Sequence, residues 1–416
     1  MDRARRFARP DAALAVVAAA IVLGCSPGAG PVRFHANEAP QRLSEWRLLR
    51  VEDGALVPNE GVVPYDLNTP LFSDYALKMR TVWMPAGAQA EYRAEGAFEL
   101  PVGTVLSKTF YYRLASGTSD GEGGARGRSN RLRVERSADL GAAIGDGRLS
   151  LAGVRLIETR LLVRRERGWI ALPYVWDDAQ RDAVLEIAGD RVELTLVSAD
   201  DAATAIETSA AVEYVVPDVN QCAGCHVRDH GAGSLSPLGP TARHLNRWIE
   251  TSQGSRNQLE EWAAAGLVRG LPSRDVPKAP EAWRPGAGDS LEARARAYLD
   301  VNCGHCHNPR GPADTSGLFL DHATTDRRRL GVCKPPVAAG RGSGDRLYSI
   351  VPGRPDRSIL VHRMGSIDPG VAMPELGRGS VHTEGVELIS EWIASLEGDC
   401  PEPEGLRLPA APVAGP

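Results

Sequence analysis

The chain has 416 residues and a formal net charge of −5 at pH 7, and 24% of its residues are charged, 43% hydrophobic and 6% aromatic. These proportions are ordinary for a globular protein, and the length predicts two or three domains. The mildly acidic balance argues against a nucleic-acid partner, and the 44 glycines and 30 prolines favour loops and turns over long regular elements.

The N-terminal segment predicts export and a lipid anchor. Four arginines precede an apolar run of about 14 residues, shorter than the roughly 20 residues of a membrane-spanning helix. The sequence Leu23-Gly24-Cys25 resembles the bacterial lipobox, in which Cys25 becomes the lipidated first residue, and an ordinary signal peptide with an incidental cysteine is the alternative. By the same resemblance, Ser26 indicates the outer membrane. We expect a lipoprotein signal peptide at 1–24, whose removal takes the formal charge from −5 to −7, and a location on the periplasmic side of the cell envelope.

The first half of the mature chain predicts β-structure. Residues 25–44 are rich in Gly, Ala and Pro and predict a flexible tether. From 45 to 216, stretches rich in Val, Leu, Thr and Tyr alternate with polar residues and are broken by Gly, Asp and Pro. Several short strands with turns between them predict an all-β domain of sandwich or barrel type over 45–216.

After residue 217 the pattern changes to that of helices. The segment 271–288 is rich in Pro and Gly and predicts a linker. Ser290 and Thr383 are the expected N-terminal caps of the two longest helices. Apolar residues recur at helical spacing in 241–250, 256–268, 290–302 and 382–398.

Two C-x-x-C-H motifs carry the chemistry. They consist of Cys222, Cys225 and His226, and of Cys303, Cys306 and His307. In such a motif the two thiols bond to the vinyl groups of a haem and the adjacent histidine coordinates the iron. A zinc site that pooled the four cysteines would leave both histidines unexplained, and a thioredoxin-like pair would begin a helix, whereas Cys303 follows one. We predict two covalently bound haem c groups, with His226 and His307 as axial ligands.

The region 290–398 also offers a sixth ligand for the second iron. Its order of helix, C-x-x-C-H motif, loops, Met-Pro and terminal helix resembles the class I cytochrome c domain. Met373, 66 residues after His307, is the predicted distal ligand, with a packing role in the core as the alternative. A carbonyl near Pro309 or Pro312 is expected to accept a hydrogen bond from Nδ1 of His307.

Other candidate ligands are weaker. Met364 lies in a segment that predicts a buried helical turn. Opposite His226, the sequence offers His244, which is as consistent with a surface position on a helix, and the remote Met79 and Met84. A five-coordinate first haem therefore stays open.

The remaining cysteines predict a disulfide. Of seven cysteines, Cys25 is assigned to lipidation and four to the motifs, which leaves Cys333 and Cys400. Disulfides persist in exported proteins, so we predict this pair, with two separate buried thiols as the alternative.

The chain resembles a group of bacterial di-haem c-type cytochrome-like proteins whose function is not established. The resemblance implies export and two covalent haems, but no substrate. Together with the pattern analysis it gives an α+β multidomain fold: a β-rich domain at 45–216, a first haem-binding segment and linker at 217–288, a mainly α-helical class I cytochrome c-like domain at 289–400 and a disordered tail at 401–416. The segments that carry it are 65–87, 100–112, 215–226, 300–321 and 350–379.

These observations predict an exported, lipid-anchored di-haem cytochrome that transfers electrons between redox partner proteins of the cell envelope. The main alternative is a peroxidase-like di-haem oxidoreductase with an open coordination site on the first haem. A third hypothesis gives the β-rich domain the recognition of a glycan or protein partner, with the haems as redox sensors.

Overall fold

The structure is a computed structural model that describes residues 30–116, 131–137, 147–198, 208–251, 254–283, 286 and 288–401. The expected signal peptide, Cys25 and residues 402–416 of the expected tail lie outside these ranges. None of the described helices is both long enough and apolar enough to cross a bilayer.

Strands dominate the described residues up to 216, as the sequence predicts. Six of them form an antiparallel sheet in the order β11-β10-β9-β6-β4-β3, and two three-stranded sheets have the orders β1-β2-β8 and β13-β12-β7. The strands are β1 (Leu49–Glu52), β2 (Ala55–Pro58), β3 (Val63–Tyr65), β4 (Leu77–Trp83), β5 (Ala90–Glu91), β6 (Val105–Arg113), β7 (Leu132–Glu135), β8 (Leu149–Ser150), β9 (Val154–Arg165), β10 (Gly168–Trp176), β11 (Ala183–Leu185), β12 (Asp190–Ser198) and β13 (Thr208–Val216).

The six-stranded sheet packs on both faces because its side chains alternate. Met79 and Leu161 point into a core shared with β1, β2 and β8. Phe110 and Tyr112 point to the other face, where they pack against Tyr214 and its neighbours on β12 and β13. The N-terminal part is therefore β-rich and built from several packed sheets.

Residues 30–44 belong to this body, which corrects the expectation of a tether for that stretch. Phe34 stacks on Trp83, with ring centroids 6.4 Å apart, and the backbone N–H of Arg33 donates to the carbonyl of Trp46 at 3.0 Å. An aromatic side chain packed on a core removes apolar surface from water, so this segment gains more by docking than by staying free.

The second half contains shorter elements. Residues 248–250 are a strand and not the predicted helix, because Trp248 pairs with Asn257 in a hairpin. The elements are α1 (Cys222–His226), α2 (Ala242–Leu245), β14 (Trp248–Thr251), β15 (Gly254–Asn257), α3 (Gln258–Ala264), β16 (Val268–Arg269), α4 (Leu291–Asn302), α5 (Ile359–Met364) and α6 (Thr383–Ser395).

Helices α4 and α6 are the two longest and pack against each other. The predicted cap of α4 is confirmed, since Oγ of Ser290 accepts from the N–H of Ala293 at 3.1 Å. The predicted cap of α6 is wrong: Thr383 is its first residue, and His382 occupies the cap position without a side-chain hydrogen bond. The predicted apolar stripes of both helices form one core with α5, and full burial of each large aliphatic side chain there contributes about 1.5–3 kcal/mol.

Residues 242–282 bind to the β-rich part and do not form a separate unit. The strand β16 pairs in parallel with β5, and Trp262 packs in a core with Val82 and Met84. In the predicted linker, Ala282 is fully buried in the core of α4 and α6. The part of the chain between the first motif and α4 therefore contacts both the sheet and the C-terminal helices.

Candidate functional site

The two C-x-x-C-H motifs lie in contact. Sγ of Cys306 is 3.5 Å from the carbonyl oxygen of Gly224, which lies between the two cysteines of the first motif. Beyond the motifs, the N–H of His230 donates to the carbonyl of Arg310 at 2.8 Å. Gly224 and Cys306 are 82 residues apart in the sequence, so two distant segments of the chain form one site.

Local hydrogen bonds shape each motif. Oδ1 of Asp218 accepts from the N–H groups of Asn220 and Gln221 at 2.8 Å each, and this turn after β13 leads directly into α1. The second motif continues the end of α4, where the N–H of His307 donates to the carbonyl of Cys303 at 2.9 Å. In both motifs a helical turn therefore places the histidine one turn from its first cysteine.

The two motif histidines are oriented in the same way. Nδ1 of His226 donates to the carbonyl of Ser236 at 3.0 Å, and Nδ1 of His307 donates to the carbonyl of Leu318 at 3.2 Å. The expected acceptor near Pro309 or Pro312 is therefore wrong. Because a carbonyl can only accept, the proton of each neutral ring sits on Nδ1 and the lone pair on Nε2. Burial lowers the pKa of both rings, to about 4 for His226, so both are neutral at pH 7.

The four motif cysteines form no disulfide. Burial raises the pKa of Cys303 to about 12 and that of Cys306 to about 11, and it also raises the pKa of Cys222 and of Cys225. Cys222 begins a helix after a strand, yet a redox-active dithiol needs a lowered thiol pKa, which is the opposite of what burial produces here.

A zinc site that pools these cysteines is not formed. Within the ranges that the structure describes, no three of the His, Cys, Asp and Glu side chains are grouped so that they could hold a metal ion. A structural zinc site needs four such ligands from the protein, whereas the iron of a haem takes most of its ligands from the porphyrin.

A large cavity lies between the sheet and the two motifs. Its volume is about 1580 Å³. Cys222, Cys225, His226 and Cys303 border it, whereas Cys306 and His307 do not. Pockets for one drug-sized ligand measure roughly 300–1,000 Å³, so this cavity has room for more than one such group.

Met373 borders the cavity on a loop that two side chains hold in place. Nη2 of Arg378 donates to the carbonyl of Met373 at 2.8 Å and to that of Ser366 at 2.8 Å. The carboxylate of Asp74, 305 residues before Gly379, accepts from the N–H of Gly379 at 2.9 Å and from the N–H of Ser380 at 2.7 Å. Met373 therefore has a fixed backbone and a partly buried side chain at the cavity wall.

The other methionines have different environments. Met364 is buried in the core of α4 and α6 and also borders the cavity. Met79 and Met84 lie in the cores on the two faces of the six-stranded sheet and do not border the cavity. Both of them therefore serve packing within the β-rich part.

Three further histidines at the cavity are buried. His244 is 5% exposed, so the surface alternative for it is wrong, and its Nε2 lies 3.8 Å from the carboxylate of Asp300. His382 stacks on Phe72, with ring centroids 4.1 Å apart. His305, between the cysteines of the second motif, is 9% exposed, and its Nδ1 makes no hydrogen bond of normal geometry.

Sequence reasoning passes over His305 and His382. His305 occupies a position of the motif that serves as a spacer between the cysteines, and His382 directly precedes Thr383, the residue predicted as the helix cap. The available signal is the residue type itself, because a histidine beside a candidate haem site is a potential ligand or proton carrier.

Cys333 and Cys400 form a disulfide, with an S–S distance of 2.08 Å. It joins the loop that follows the second motif to the segment after α6. The bond closes a loop of 67 residues around the C-terminal core.

The chain matches no protein-family model, no curated protein and no solved structure. The resemblance to di-haem cytochrome-like proteins therefore stays a prediction.

Proposed function

We propose that this chain is an exported di-haem c-type cytochrome that transfers electrons between redox partners of the cell envelope. The contact between the two C-x-x-C-H motifs at one cavity carries the proposal. Two redox groups held by touching motifs would exchange electrons over a short path, and such an arrangement suits a relay.

The side chains at the site fit two covalent haem groups. Cys222 and Cys225 would hold the first group through thioethers, and Cys303 and Cys306 would hold the second. His226 and His307 would bind the irons, because each ring is neutral and donates through Nδ1 to a backbone carbonyl. The cavity supplies space beside the complete first motif and beside Cys303 of the second, and a bound haem would supply an iron that cycles between its ferric and ferrous states.

Met373 is the proposed sixth ligand of the second iron. Its thioether would favour the ferrous state and so raise the potential of that site. Arg378 holds the loop by its backbone carbonyls, which leaves the Met373 side chain free to bind. The surrounding C-terminal helices, with their fully buried Trp392 and Leu299, would shield the site from water.

The decisive test is a pyridine haemochrome assay with intact-mass measurement on protein expressed with export and a haem-attachment system. We expect two covalent haems per chain. The variant Cys222→Ala/Cys225→Ala should carry one, and Cys303→Ala/Cys306→Ala should carry one. A wild-type mass without added haem would refute the proposal.

A peroxidase-like oxidoreductase is the second candidate. It is favoured by the cavity at Cys222, Cys225 and His226, combined with the packing roles of Met79 and Met84, which remove the two remote methionines as partners of the first iron. Electron paramagnetic resonance of the oxidised holoprotein separates the candidates. Two low-spin signals would support the electron carrier, whereas a high-spin signal that changes with hydrogen peroxide would support the enzyme.

The lipid anchor at Cys25 and a periplasmic, outer-membrane location belong to the same proposal. Metabolic labelling with a fatty acid should mark the wild-type chain and leave Cys25→Ala unmarked. Fractionation of the cell envelope should move the variant from the membrane to the periplasm.

A further inference from the structure

A row of basic side chains crosses the six-stranded sheet on the face that borders the cavity. Arg80 lies directly opposite Lys108 on the next strand, and Lys108 lies directly opposite Arg160 on the strand after that. Lys78, two residues before Arg80, points to the same face. All four side chains border the cavity.

This row of like charges lowers the stability of the sheet, so packing alone does not account for it. Like charges directly opposite each other on neighbouring strands destabilise the sheet. Lys78 is 1% exposed, and its ammonium donates to the carbonyl of Ala76 at 2.9 Å. The Phe110 ring lies beneath three of these cations, with the Lys78 and Lys108 nitrogens 5.5 and 5.1 Å from its centroid and the Arg160 guanidinium carbon 4.3 Å away.

The carboxylates nearby do not balance these charges. Glu158 accepts from Arg160 at 2.5 and 2.8 Å and also from the hydroxyl of Tyr214 at 2.6 Å. Asp66 lies 2.8 Å from Arg80 and 3.0 Å from Arg247, so two guanidiniums share it. Among the described residues, no carboxylate lies within ion-pair distance of Lys78 or Lys108, which leaves two lysines without an anionic partner.

The pKa values of both lysines are lowered because they are buried among other cations, and a bound anion would favour their charged forms. Burial and the neighbouring guanidiniums lower the pKa of Lys108 to about 7 and hold that of Lys78 well below its usual range. Burial raises the pKa of Cys225, and the nearby charges of Lys108 and Arg160 oppose part of this rise. The basic row therefore faces the first C-x-x-C-H motif across the cavity.

We propose that Lys78, Arg80, Lys108 and Arg160 form a carboxylate-binding site on the cavity wall. Nε and Nη2 of Arg160 donate to Glu158 and Nη1 of Arg80 donates to Asp66, so the cations without a carboxylate partner are those of Lys78 and Lys108. A nearby anion favours the charged form of a lysine, so two bound carboxylates would protonate both amines and match their charges. The paired donors of Arg160, which could bind phosphate through two parallel bonds, are already occupied by Glu158.

The carboxylates have two sources with the same chemistry. One is the pair of propionates of the first haem, in which case the inference rests on the proposed function. The other is a small organic dicarboxylate that enters the cavity from solution, in which case the site is independent of haem. Both sources would place their charges against the same lysines.

The test uses Lys108→Met in the full-length protein, with Lys108→Arg as the charge-conserving variant. Lys278→Met is the matched control, because it makes the same change at an exposed lysine. Calorimetric titration with succinate measures the free-ligand source. Resonance Raman spectra of the propionate bending modes measure the haem source, and the pyridine haemochrome assay reports the haem content of each sample separately.

We expect one of two results. Succinate binds the wild type and binds Lys108→Met roughly tenfold or more weakly, or the propionate modes of the wild type shift in Lys108→Met. Lys108→Arg should behave nearly as the wild type, and Lys278→Met should be unchanged in both measurements. A haem-free wild type that still binds succinate would refute the proposed function and keep the carboxylate site.

The proposal is overturned if wild-type protein binds no succinate and Lys108→Met leaves the propionate modes unchanged. Folding is a separate check. Removing an unpaired buried charge relieves a desolvation cost, so Lys108→Met should melt at the same temperature as the wild type without succinate, or higher. This expectation holds for protein without a bound anion. In haem-loaded protein, a lower melting temperature of Lys108→Met without a shift of the propionate modes would give Lys108 a structural role and contradict the proposal.

Discussion

The Sγ atom of Cys306 lies 3.5 Å from the carbonyl oxygen of Gly224, so the second motif rests on the first. In the proposed function this contact joins two cofactors that the sequence separates. The reduction of one haem would place a charge close to the other, and their potentials would therefore depend on each other. A redox titration should fit two interacting sites better than two independent ones.

Gly304→Ala should damage the second motif. A Cβ at Gly304 would lie 2.7 Å from the carbonyl oxygen of Asp300 and 2.9 Å from Cα of Asp321, and backbone atoms cannot move aside cheaply. We expect a loss of about 1–3 kcal/mol in the free energy of unfolding. Gly224→Ala is the control, since its Cβ would meet only the end of the exposed Leu376 side chain. Equal melting temperatures for the two variants would contradict this prediction.

Met373→Ala and Arg378→Gln should have the same spectroscopic effect for different reasons. The first removes the proposed thioether ligand, and the second removes the donor that fixes the carbonyl of Met373. We expect both to weaken the charge-transfer band of thioether-bound ferric haem and to lower the potential of one haem. Met79→Leu, a change within the β-rich core, should leave the band intact. An unchanged band in Met373→Ala would exclude Met373 as the ligand.

His305→Ala should change the ligation of the first haem more than His244→Ala. His244 lies 3.8 Å from the Asp300 carboxylate and His382 is stacked on Phe72, whereas no described carboxylate lies within ion-pair distance of His305 and no described aromatic ring stacks on it. We expect His305→Ala to convert one low-spin haem to high-spin, as measured by electron paramagnetic resonance. A high-spin signal in His244→Ala, with none in His305→Ala, would instead favour His244 as the second protein ligand of the first iron.

Asp300 links α4 to its surroundings, and His322 should make this link dependent on pH. Asp300 pairs with Arg243 at 2.7 Å, lies near His244 and receives the backbone N–H of His322 at 2.9 Å. The interaction of the His322 ring with Asp300, helped by Glu95, raises the pKa of His322 in the folded protein. A raised folded pKa stabilises the protein fully below the unfolded value of about 6.5, and the stabilisation declines as pH rises through the folded pKa.

The variant His322→Gln checks this dependence. Its melting temperature should fall below that of the wild type at about pH 5.5 and approach it at about pH 8.5, on either side of the unfolded histidine pKa. His362→Gln, at a histidine whose pKa is lowered by burial, is the control and should not show this trend. A difference in melting temperature between wild type and His322→Gln that is constant with pH would rule out His322 as the source of the pH dependence.

Cys333→Ser/Cys400→Ser should destabilise the C-terminal core. The disulfide closes a loop of 67 residues, and loss of such a bond costs about 2–4 kcal/mol in the free energy of unfolding. Alkylation of the unfolded, unreduced holoprotein gives the chemical check. We expect no alkylated thiol among the six cysteines from 222 to 400, because four of them would carry thioethers to haem and the other two form the disulfide. Two alkylated thiols per chain would contradict the pairing.

The sequence predicts local features well and long-range contacts poorly. The strands up to 216, the cap at Ser290 and the apolar stripe of α6 follow from periodicity and residue type alone. The contact between Gly224 and Cys306 does not, because no local pattern specifies which loops meet across 82 residues. Lys78 and Lys108 do leave a signal, as lysines within strands rich in apolar and aromatic residues, but only the register aligns Lys108 between Arg80 and Arg160.

The hydrogen bonds from the N–H groups of Gly379 and Ser380 to Asp74 join an early part of the chain to a late one. In the proposed function, enzymes that attach haem would need access to the motif cysteines before these two parts of the chain come together. Asp74 belongs to the first part of the chain to emerge, and its partners belong to one of the last. In the proposed function, this carboxylate would fix the loop of Met373 after haem attachment, and Asp74→Ala should slow that last step rather than the attachment itself.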